Sequence, residues 1–141
     1  MDADLRYSRS AMTTNPLHTA PAANTRTGAL LLNLGTPASA SVSDVRRFLR
    51  EFLSDPRVID IPPVLRWLLL RCVILPFRPR KTAAAYAKIW TAQGSPLLVH
   101  SRALAAAVAD ALGPSWLVGL GMRYGEPTIA SALAQLLDAK V

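Results

Sequence analysis

Two short runs of almost uninterrupted apolar residues constrain this chain more than anything else in it. The first is GALLLNLGTP, residues 28–37, apolar from Ala29 to Leu34 except at Asn33 and closed by Gly35 and Pro37. The second, WLVGLGMRYG, occupies 116–125. Runs of this length between turn residues read as strands buried on both faces, the usual state in a parallel sheet. Parallel strands need a long crossover, and helical patterns fill the interval here. The order strand, several helices, strand, helix predicts the start of a doubly wound α/β domain: an incomplete Rossmann-like parallel sheet with flanking helices.

SVSDVRRFLREFLSDP carries the clearest helical stripe, with Val45, Phe48, Leu49, Phe52 and Leu53 at i, i+3, i+4, i+7 and i+8. Ser41 and Asp44 stand at capping-box spacing, and Pro56 lies just past the expected end. RVIDIPP reads as an extended link. VLRWLLLRCVILPF, 64–77, is helical but apolar nearly all round, marked only by Arg66 and Arg71. Such a segment is usually core; the other reading is a membrane interface with snorkelling arginines. RPRKTAAAYAKIW predicts a basic turn, then a short helix with Tyr86, Ile89 and Trp90 on one side. Ser95 caps the next helix with Pro96 at its first position. Leu97, Leu104, Val108 and Leu112 form its stripe, and Gly113-Pro114 ends it. The last helix places Ile129, Leu133, Leu136 and Leu137 inward. The pattern stops at Val141, where a third strand is expected, so the domain reads as truncated there with unpaired sheet edges.

A length of 141 residues allows one modest domain, and a 51% hydrophobic composition predicts a packed core. Residues 1–27 are rich in Ala, Thr, Asn, Ser and Pro without an apolar segment, and read as a disordered leader rather than a secretion signal. Met12 is an alternative start. The single cysteine, Cys72, excludes an intramolecular disulfide and multi-cysteine metal sites, fits a reducing compartment and reads as a small core hydrophobe. No run reaches the roughly 18 apolar residues of a membrane span. Charge is unevenly placed: 61–109 holds no acid but carries Arg66, Arg71, Arg78, Arg80, Lys81, Lys88 and Arg102. Such a surface attracts phosphates, anionic lipid heads or carboxylates, or is simply solvated. Nucleic acid is disfavoured, because interleaved exposed aromatics and a binding motif are missing.

GLGMRYG is a near miss for a dinucleotide fingerprint. Gly119 and Gly121 fall inside the strand, and Arg123 and Tyr124 occupy the turn where a pyrophosphate needs bare backbone. NLGTP lacks the Gly-Lys-Ser/Thr of a phosphate loop. His100 has no companion at metal-ligand spacing, and neither a nucleophile triad nor a carboxylate pair assembles from local sequence.

LLLNLGTP, FLREFLSDPRVIDIP, ILPFRPRKTAAAYAKIW, GSPLLVHSR and MRYGEP, in this order and spacing, resemble the N-terminal part of bacterial ferrochelatase. The resemblance covers 28–141 and about the first third of a usual member. It implies a chelatase-type fold of two Rossmann-like domains with a porphyrin cleft between them. It also implies a lyase-type reaction: insertion of ferrous iron, a substrate and not a cofactor, into protoporphyrin IX to give protohaem. The proton-accepting histidine lies later in the family's sequence, so this chain alone is expected to be inactive and to need the C-terminal part of the same protein. What remains implied is one wall of the pocket. Leu34 lies against a porphyrin face, where some relatives place tyrosine or methionine, and leucine packs there without coordinating iron. Arg123 offers a charged hydrogen bond to a propionate, and Tyr124 a ring and a hydroxyl. Residues 61–96 resemble the active-site lip, with Lys88, Ser95 and Pro96 at its rim. The location implied is cytoplasmic, or peripheral at the inner face of the membrane. The rival reading is a non-catalytic α/β module that binds porphyrin, haem or a membrane surface.

Overall fold

The computed structural model describes residues 26–141, so nearly all of the leader lies outside the described residues. Strand β1 (Thr27–Gly35) is followed by helix α1 (Val42–Ser54), helix α2 (Pro63–Leu68), a π-helical stretch (Leu69–Ile74) and helix α3 (Leu75–Ile89). Helix α4 (Pro96–Leu112), strand β2 (Trp116–Tyr124) and helix α5 (Ile129–Asp138) complete it. The strands pair in parallel, in a register running from Thr27 opposite Trp116 to Gly35 opposite Tyr124. That is the α/β crossover the apolar runs predict.

Helices cover both faces of this two-stranded sheet. One face carries Gly119 and Gly121 against α5. A β-carbon at Gly119 would meet Leu136 at 3.2 Å, and one at Gly121 would meet the Ile129 backbone at 3.0 Å. The glycines in the false dinucleotide motif thus let α5 lie close on the strand. On the other face, Asn33 Nδ2 donates to Ser101 Oγ of α4 at 2.9 Å, which explains the one polar interruption in the first apolar run.

The stripes of these two helices are rotated from those expected. In α5, Ala132 and Leu136 are buried while Leu133 and Leu137 are exposed. In α4, Ser101 is buried while Leu97, Leu104 and Leu112 are exposed. Small residues allow closer approach than leucines do, so Ser101 and Ala132 take the sheet-facing positions. The strands are also less covered than their composition implies, with Leu32 and Leu34 exposed.

The first helix follows its stripe: Val45, Phe48, Leu49 and Leu53 are buried. Ser41 caps it by accepting from Asp44 N–H at 3.1 Å, but Asp44 answers Ser39 rather than Ser41, so the capping box is half made. The core sits between this helix and the run 70–83, joining Val45, Leu49 and Leu53 to Leu70, Leu75 and Ala83.

The segment 63–89 departs most from expectation. The predicted basic turn at 78–81 is absent, and Pro79 lies inside a continuous helix. Prolines 76 and 79 have no N–H to give, and the ladder opens just ahead of them into the π stretch, where Leu75 N–H reaches back to Leu70 O. The five-residue step from Leu70 to Leu75 continues as four-residue steps to Pro79 and Ala83, all buried. The π turn therefore keeps one stripe in line against α1. Ile74 and Tyr86 pack partly buried beside this stripe, but other apolar residues of the segment are not core: Val64 is 79% exposed, Trp67 61% and Phe77 75%, and Cys72 is exposed as well. A helix apolar all round can bury only the side that has a partner.

Candidate functional site at the carboxyl edge of the sheet

The two strands end side by side, and two glycines make that possible. Gly35 has φ +109° and Gly125 φ +80°. A β-carbon at Gly35 would stand 1.8 Å from the Tyr124 carbonyl oxygen, and one at Gly125 2.6 Å from that of Thr36. NLGTP and MRYGEP, far apart in sequence, thus interlock backbone to backbone. The joint is tightened by Met122 N–H donating to Pro127 O at 2.7 Å. Thr36 is buried there, its Oγ1 without a hydrogen-bond partner among the described residues.

Beside this joint the end of α1 delivers two carboxylates. Asp55, at the helix C-cap, accepts at Oδ2 from Arg123 Nη2 at 2.6 Å and from Tyr124 OH at 2.9 Å. Its Oδ1 takes the Arg57 backbone N–H at 2.8 Å, an Asx turn. Arg123 Nε donates to Tyr124 OH at 3.0 Å. One turn back on the helix, Glu51 accepts from Gly125 N–H at 3.3 Å. Phe52 meets the Tyr124 ring edge-on at 5.2 Å and packs the phenol against the helix. Hydrogen bonds from Arg123, from the Arg57 backbone and from Tyr124 hold the Asp55 carboxyl well below the usual carboxylate range. Hydrogen bonds to Asp55 first and Tyr124 second raise the Arg123 guanidinium above its ordinary value. Glu51, Asp55, Arg57, Arg123, Tyr124 and Ile129 line an open hollow of about 740 Å³.

The six residues expected at the site are not gathered in one place. Arg123 and Tyr124 line this hollow. Leu34 sits at the end of β1, 49% exposed, its N–H donating to Asn33 Oδ1 at 2.7 Å. Ser95 lies in a second hollow of about 380 Å³, between the strand-end segments Pro37–Ala38 and Glu126–Pro127, with Trp90, Leu98 and Arg102. Its side chain is buried and accepts from Leu98 N–H at 3.2 Å, so it caps α4, with Pro96 in the first turn. Lys88 is exposed in the last turn of α3 and lines neither hollow. Of the two arginines on the apolar segment, Arg66 turns back to the carbonyls of Ile59 and Ile61 at 3.2 and 3.3 Å. Asp55 was missed by sequence reasoning. Its signal was the Asp-Pro at the end of the strongest helix, read only as a stop.

A ferrochelatase family model matches residues 26–141. Ferrochelatase from Coxiella burnetii (strain Dugway 5J108-111) is 53% identical over 117 residues, covering 83% of this chain and 33% of its own length. That from Legionella pneumophila (strain Corby) is 54% identical over 113 residues, 80% of this chain and 34% of its own. The chain thus spans about a third of the length of the curated relatives it matches. With its strand-end motifs joined at one sheet edge and a match along nearly all of its described length, the chain belongs to the ferrochelatase family.

Proposed function

We propose that this chain forms one wall of a porphyrin pocket in a protein that inserts ferrous iron into protoporphyrin IX. The observation that carries the reading is the juxtaposition at the carboxyl edge of the sheet, where open α/β folds hold ligands. There the exposed Leu34 and the Arg123–Tyr124 pair end on neighbouring strands. Leu34 offers an apolar contact to a flat ring, and the guanidinium offers charged hydrogen bonds to a propionate. Iron enters as substrate, and no resident cofactor is called for. The chain as given binds porphyrin without inserting metal, and the remaining two-thirds of the family's length supplies the proton acceptor. Fluorescence titration with protoporphyrin IX tests this. Saturable binding weakened by Arg123→Ala and altered by Leu34→Trp is expected, and binding indifferent to both substitutions would sink the proposal. Iron or zinc insertion by the pure chain would refute the inactive-wall part of it.

A second reading is favoured by the exposed ridge of Val64, Leu65, Trp67, Leu68, Val73 and Phe77, beside the exposed Arg71. No helix among the described residues is long and apolar enough to cross a membrane. We propose that this ridge lies on the cytoplasmic membrane surface, with Arg71 reaching lipid head groups. Pelleting with anionic vesicles, lost in a Trp67→Ser/Phe77→Ser variant, is the expected outcome. Equal pelleting by the variant would overturn it.

A further inference from the structure

We propose that Asp55 is the positioning residue of the strand-end site, a single carboxylate oxygen that holds Arg123 and Tyr124 as one unit. Consecutive strand residues send their side chains to opposite faces of a sheet, so Arg123 and Tyr124 should diverge. Instead both converge on Asp55 Oδ2, at 2.6 and 2.9 Å, and on each other at 3.0 Å. The anchor is itself held in place by the protein. Its other oxygen is held by the Arg57 N–H, it sits where α1 ends, and its side chain is only 15% exposed. Glu51, one turn earlier, takes the Gly125 N–H, so the end of α1 grips three consecutive residues, 123 to 125.

Two consequences follow for ligand recognition. The guanidinium spends one hydrogen on Tyr124 and one on Asp55, which fixes the direction of those that remain. Those remaining hydrogens are charged donors held in one direction, so the hollow favours a carboxylate that lies along it and loses that hydrogen bond when the hold is released. This second step rests on the porphyrin reading above; the hold of Asp55 on the pair does not.

The test uses the full chain and two readouts. The first is the NMR signals of Arg123 Nε–H and the Tyr124 ring, which report the triad without any ligand. The second is the affinity for protoporphyrin IX relative to its dimethyl ester, which lacks the carboxylates. Asp55→Asn is expected to move both sets of signals and to reduce the preference for the free acid by about tenfold, the loss of one charge-assisted hydrogen bond. Asp55→Glu keeps the charge but displaces it, so it should shift both sets of signals together and restore part of the preference. It also serves if Asp55→Asn fails to fold. Signals unmoved in both variants, or moved for only one of the two residues, would overturn the proposal. Moved signals with no porphyrin binding by the wild-type chain would support Asp55 as the anchor and refute the porphyrin reading instead.

Discussion

The sheet edge and the helical run 63–89 are built on opposite rules. At the edge, backbone approaches backbone, and position is set by two left-handed glycines and a few hydrogen bonds. In the run, position is set by one buried stripe, Leu70, Leu75, Pro79 and Ala83, while Val64, Trp67, Val73 and Phe77 face outward. Local chemistry makes the first region readable. In the second, composition misleads, because burial depends on which partner a face meets and not on how apolar the face is.

This contrast can be broken or sharpened by substitution, starting with the largest effect. Gly35→Ala drives a methyl into the Tyr124 carbonyl at a φ that L-residues resist, so a loss of about 3 kcal/mol or more is expected from urea denaturation. Leu75→Ala empties part of the stripe and should cost about 2–4 kcal/mol by the same measurement. Ser95→Ala removes a helix cap and should cost about 1 kcal/mol. If its effect on porphyrin affinity is no greater than its effect on stability, Ser95 is a cap alone.

A smaller effect comes from acid. The Asp55 carboxyl is depressed in the folded state, so its contribution is full above the unfolded value of about 3.9 and is lost as pH falls toward the folded one. The gap in denaturation midpoint between wild type and Asp55→Asn should hold from neutral pH down to about pH 5, then close. Smallest of all, Phe77→Ser on the exposed ridge should change stability by no more than about 0.5 kcal/mol. A loss as large as that of Leu75→Ala would show the ridge to be core after all.

Much of the fold was legible. Both strands, the first helix with its Ser41 cap, and the Ser95–Pro96 start of α4 stand where the sequence placed them, because each rests on interactions within a few residues. The faces of α4 and α5 were not, since they depend on Gly119, Gly121 and Asn33 in strands far away in sequence. Of the candidate site, the strand-end position of Arg123 and Tyr124 was legible, but the carboxylate that holds them lies 68 and 69 residues away.

The sequence alone determined the order of elements, the parallel pairing and the family, because apolar period, caps and motif order are properties of neighbouring residues. Only the tertiary structure decided that the segment 63–89 turns much of its apolar surface outward, that a π turn carries a stripe past two prolines, and that Asp55 holds the arginine at the sheet edge. Each of these depends on which surfaces meet after the chain has crossed over, and the crossover brings together residues that no local pattern connects.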